Sequence, residues 1–156
     1  MKPVKTTVEI LAFKALNRSI DQFWVNWAID MLTAGYDTEH LKMLAVEIQP
    51  FNQFEMQMLT DKVLDELQLS YNNKDQIIKN YVSYLIDKSL NGELNSFSVL
   101  SILKDIYLEL DCEEDLEDFN QLYFAKDDLF HSPVQWYWHG ATQENIDDII
   151  IEYFKK

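Results

Sequence analysis

PFNQFEMQMLTDKVLDEL (residues 50–67) is the stretch whose reading decides the fold. Pro50 bars the residue before it from helical backbone. Asn52 stands where an N-cap belongs, and Glu55 follows three residues later, a variant capping box. Phe51 and Met56 flank the cap at the two positions that form a hydrophobic staple. Met56, Leu59, Val63 and Leu67 then recur at helical spacing. A start, a stop signal before it and a one-sided apolar stripe agree on one amphipathic helix.

The same grammar extends in both directions. Val8, Leu11, Ala12, Ala15 and Leu16 form a stripe after Thr6 or Thr7. Ser19 is a candidate cap for Ile20, Phe23, Trp24, Trp27, Ala28 and Met31, with Gly35 closing. Asp37 or Thr38 opens a third helix with Leu41, Leu44, Ala45 and Ile48 on its inner face, ended by Pro50. Beyond residue 67, Asn73 with Gln76 opens a helix through Ile77, Tyr81, Val82 and Leu85, closed by Gly92. Further stripes are Val99, Leu103, Ile106, Tyr107 and Leu110, then Leu116, Phe119, Leu122 and Tyr123. Thr142 caps a last stripe of Ile146, Ile149, Ile150 and Tyr153. Only three glycines and three prolines occur in 156 residues, too few for a turn-rich β protein. The expected fold is all-α, a single domain over residues 1–156. About seven or eight helices would pack as helical hairpins in an irregular bundle or a short right-angled array.

Charge is the strongest compositional signal. The chain carries 27 acidic and 13 basic residues, and residues 101–156 alone carry 14 and 4. Phosphate backbones need cations to replace their counterions, so nucleic acid and anionic membrane are poor partners. A basic protein would be attracted and steered in. No apolar run reaches the roughly 18 residues of a membrane span, and MKPVKTTVEI lacks a signal-peptide core. Cys112 is the only cysteine, which suits a cytoplasmic location. No cofactor motif is present: neither GxGxxG nor GxxxxGK[ST] occurs.

Three features could carry chemistry or contact. In ELDCEEDLED (residues 109–118) seven of ten residues are acidic. An EF-hand loop beginning at Asp111 would place Glu113 and Asp115 well. It fails at Leu116, where glycine is needed, and at Leu122, where a bidentate glutamate is needed. Asp111, Glu113, Glu114, Asp115, Glu117 and Asp118 therefore read as a solvated helix link or as a docking face for a basic partner. Asp127 with Asp128, and Asp147 with Asp148, are two acidic pairs near His131 and His139. Neighbours on a helix point about 100° apart, so neither pair chelates alone. HxxxH, HExxH and CxxC patterns are absent, so no metal site is expected. The rival reading is a metal-binding protein or hydrolase built on those six residues.

The third feature is PVQWYWHGATQENIDD (residues 133–148). In an extended segment Trp136 and Trp138 would share one side and Tyr137 the other. Burying two indoles is worth several kcal/mol, roughly 200 Å² each at about 25 cal/mol/Å². The expectation is a strap with both indoles packed inward and Tyr137 outward. The alternative is an interface anchor with an acidic rim. Elsewhere, Cys112 lies among acids and is a poor nucleophile. The serines lack a GxSxG setting. His40, in a first helical turn, is expected to be solvent-exposed and not catalytic.

QFWVNWAIDMLTAGYDTEHLKMLA (22–45), the opening stretch, LYFAKDDLF (122–130) and VQWYWHGATQENIDDIIIEYF (134–154) together cover roughly half the chain. They resemble a group of small acidic helical bacterial proteins that includes immunity proteins of toxin systems. The resemblance implies a protein partner and carries no functional residue across. The functional expectation is a non-enzymatic protein that binds a basic partner through Asp111–Asp118, Asp127, Asp128, Tyr137, Asp147 and Asp148. A self-associating helical scaffold is the third class; the sequence does not fix oligomeric state.

Overall fold

The computed structural model describes residues 2–156. Among the described residues there are eight α-helices and no strand, as the periodicity predicts. In chain order they are α1 (Thr7–Ala15), α2 (Gln22–Thr33), α3 (Glu39–Ala45), α4 (Gln53–Glu66) and α5 (Lys74–Leu90). Then follow α6 (Ser96–Glu109), a 3₁₀ turn (Glu114–Leu116), α7 (Glu117–His131) and α8 (Ile146–Phe154). Two compact units divide the chain, one ending at Tyr81 and one spanning Val82–Lys156. No linker marks the division, which falls inside α5; that is why the sequence reads as one uninterrupted helical domain.

In the N-terminal unit, α2 packs on α3 and α3 on α4, each helix against the next in sequence. Ile10, Trp24, Trp27, Met31, Leu41, Val63 and Leu64 are buried together. The two indoles meet edge to face at 6.0 Å. Trp27 Nε1 donates to Thr7 Oγ1 at 3.0 Å, so the polar atom of each group is satisfied inside the core. Lys14 enters the same unit with only 8% of its side chain exposed. Its ammonium meets Asp61 at 2.6 Å, Gln57 Oε1 at 3.0 Å and Thr60 Oγ1 at 3.1 Å. Three donors find three acceptors, the condition under which burying an ammonium is tolerable.

Helix starts follow the predicted chemistry with two shifts. Asn52 Oδ1 accepts from Glu55 N at 3.1 Å, and Asn73 Oδ1 from Gln76 N at 3.2 Å. Asn95 Oδ1 accepts from both Phe97 N and Ser98 N. The cap of α2, however, is Asp21 and not Ser19. The side-chain amide of Gln53 holds Ile20 from both sides, N to Oε1 and Nε2 to O, each at 2.8 Å. That pairing satisfies Ile20 outside a helix and delays the start of α2. Helix α3 stops at Ala45, and Ile48 is 80% exposed, not on an inner face. The helix thus ends four residues short of Gln49, the residue that Pro50 restricts, so the proline does not set that end.

In the C-terminal unit α6 lies along α7, and α8 packs on α7. Val99, Leu103, Ile106, Phe119, Leu122, Ile146 and Ile150 are buried. Thr142 and Asn145 hold each other: Asn145 N donates to Thr142 Oγ1 at 3.3 Å, and Thr142 N to Asn145 Oδ1 at 2.6 Å. These bonds close a turn ahead of α8, which begins at Ile146 with Asn145 as its N-cap residue and no side-chain cap bond, so the cap lies three residues beyond the one predicted at Thr142. Among the described residues no helix is long and apolar enough to cross a membrane.

Candidate functional site

The site lies in the C-terminal unit, where the end of α7 meets α8 and the start of α6. A groove of about 590 Å³ there is lined by Phe97, Lys126, Asp127, Phe130, His131 and Asp147, among others. Aromatic and charged side chains share its lining. Lys126 Nζ reaches Asp147 Oδ1 at 2.6 Å, tying α7 to α8 across the groove. Asp127 lines the same groove and makes no ion pair among the described residues. Phe97, which lines the groove, stacks flat on Tyr123 at 4.9 Å, and Lys104 lies over the Tyr123 ring at 4.5 Å. Phe130 is 78% exposed, an unusual position for a phenyl ring at the end of a well-packed helix.

The aromatic loop departs from the strap expectation. Trp136 is 89% exposed. Trp138 is half-buried and meets Tyr153 edge to face at 5.7 Å. Tyr137 packs on Phe124 at 5.4 Å yet stays 44% exposed. The cause is Gln135. Its Oε1 accepts from the backbone N of Tyr137 and of Trp138, both at 2.7 Å. Its Nε2 donates to the carbonyls of Trp138 and Ala141. One side chain folds residues 135–141 into a closed turn, so the alternation of an extended strand never applies. The two indoles face different surroundings, and only Trp138 is tucked in.

Tyr153 bridges this region to the acidic link. Its hydroxyl donates to Asp118 Oδ2 at 2.7 Å. Burial, then the Asp118 hydrogen bond and charge, push the phenol up to about 12. Both effects disfavour phenolate, the first by loss of solvent and the second by a carboxylate neighbour.

The predicted acidic residues do not form one cluster. Asp111, Glu113, Glu114, Asp115 and Glu117 are exposed around the 3₁₀ turn, and Asp118 is held by Tyr153. Asp111 and Cys112 both adopt left-handed backbone, φ 53° and 63°, where the chain doubles back after α6. Asp127 and Asp147 share the large groove, whereas Asp148 lines a second groove with Trp138 and Tyr153. Asp128 and His139 line neither. Among the described residues, no three-ligand metal group includes Asp127, Asp128, His131, His139, Asp147 or Asp148. The exposed Phe130 and Trp136 are what the sequence reading missed. Phe130 comes seven residues after Tyr123 and eleven after Phe119, within about 20° of both around a helix, so periodicity places it on the inner face and gives no signal of its exposure.

The chain matches no protein-family model, and it matches no curated protein and no solved structure.

Proposed function

We propose that the C-terminal unit is a docking module for a basic protein and that the chain works by binding, without catalysis. The observation that carries this reading is the groove between α7 and α8, lined by exposed Phe130 together with Asp127 and Asp147. Trp136 and Val134 follow Phe130 closely in the chain and are exposed as well. A monomeric surface seldom leaves indole and phenyl rings in water without a use. The unit around them holds 16 acidic and 5 basic residues, a net of −11. Such a field speeds capture of a cationic partner, and buried aromatic anchors slow its release. An immunity protein that masks a basic toxin has these needs.

The test separates the two contributions. Native-cell capture at low salt identifies a partner, whose binding kinetics are then measured against variants. Asp127→Asn with Asp147→Asn is expected to lower the association rate and flatten its salt dependence. Trp136→Ser or Phe130→Ser is expected to raise the dissociation rate, by about 30-fold for a hot-spot loss of about 2 kcal/mol. A partner that is acidic, or binding indifferent to both salt and these four residues, refutes the docking module.

A further inference from the structure

The N-terminal unit brings together three potential ligands that are not neighbours in sequence. Consecutive helices α3 and α4 pack together, and the start of α3 meets the end of α4. Glu39 and His40 belong to the first turn of α3, and Glu66 is the last residue of α4. One ligand atom from each lies within 4.8 Å of the others. Glu66 is held in place twice: Oε1 accepts from His40 N at 3.0 Å, and Oε2 meets His40 Nδ1 at 2.7 Å. Among the described residues Glu39 makes no side-chain hydrogen bond or ion pair; Lys42 feels its charge but is paired to Asp37 at 2.7 Å. Two carboxylates so close repel each other, and one imidazole does not offset both charges.

We infer that Glu39, His40 and Glu66 form a binding site for a first-row divalent cation, Zn²⁺ above Mg²⁺ or Ca²⁺. An imidazole with two carboxylates suits Zn²⁺, while hard cations prefer oxygen alone. Metal–ligand bonds near 2 Å need ligand atoms roughly 3.3 Å apart in a tetrahedron. Surface carboxylates close that gap by side-chain rotation, with the ion replacing the hydrogen bond between His40 and Glu66. The C-terminal end of α4 favours a cation and the N-terminal end of α3 opposes it, so the attraction comes from the two carboxylates. Three protein ligands leave a coordination position for water or another group. His40 also lines a groove of about 300 Å³, with Met43, Asn52, Met58 and Lys62.

The probe is the metal alone. Chelator-stripped protein is titrated with ZnCl₂ by calorimetry, with MgCl₂ and CaCl₂ in parallel. One equivalent of Zn²⁺ is expected, bound at least about tenfold more weakly when a ligand is lost in His40→Ala or Glu66→Gln. Both variants break a structural contact, so circular dichroism accompanies each. Glu39→Gln breaks none, and its loss of affinity decides the matter if the others misfold. The double variant His131→Ala/His139→Ala is expected to bind as the parent does. The site is overturned by absence of Zn²⁺ binding, by affinity unchanged in Glu39→Gln, by loss in the double variant, or by Mg²⁺ binding equally well.

Discussion

Trp24 and Trp27 are equally buried, at 1% exposure each, but they are not equivalent. Trp27 donates to Thr7, whereas the Trp24 indole N–H has no hydrogen-bond partner among the described residues. Trp27→Phe therefore removes a satisfied bond and strands part of the Thr7 hydroxyl. It is expected to cost about 1–2 kcal/mol more than Trp24→Phe in urea unfolding. Tyr153 gives a pH signature. Its folded pKa, about 12, lies above the ordinary 10. The contribution is complete below pH 10 and is lost as pH rises from 10 through 12. Unfolding free energy measured across that interval is expected to fall in the parent and to fall less in Tyr153→Phe.

At the scale of elements, helix boundaries are set by single polar side chains. Asn95 accepts two backbone N–H groups at the start of α6, and Asn95→Ala is expected to cost about 1 kcal/mol in the same assay. Three helix ends turn through left-handed residues other than glycine: Asn17, Gln68 and Asp111, at φ 56°, 57° and 53°. At the end of α4, Leu69 N closes onto Leu64 O at 2.9 Å past Gln68. A side chain in this backbone region is strained, and glycine is not. Gln68→Gly is expected to stabilise the protein by about 0.5–1 kcal/mol, read as a higher urea midpoint at unchanged slope. The caps at Asn52 and Asn73 were legible because each is local, a polar side chain and an amide three residues on. The start of α2 was not, since Gln53 holds Ile20 from 33 residues away.

For the whole molecule, a net charge of −14 governs both stability and encounter. Like charges repel in the folded state, and salt screens them over a Debye length of about 10 Å at 0.1 M. The melting temperature is expected to rise as NaCl increases from about 0.01 M to about 0.15 M; a fall would show that favourable ion pairs outweigh the repulsion.

Sequence by itself determined the all-α class, most helix starts, the acidic C-terminal third and the absence of known cofactor motifs. Those properties follow from periodicity, short-range capping and charge count, none of which needs distant residues. Only the tertiary structure decided that Trp136 and Phe130 face out, that Asp127 and Asp147 share a groove without Asp128 or Asp148, and that His40 meets Glu66. A bond to a distant or irregularly placed partner overrides local pattern, as Gln135 does when it curls a stretch that alternation would extend. Which side chains converge is fixed by how helices pack, and packing depends on shapes that no single stripe encodes.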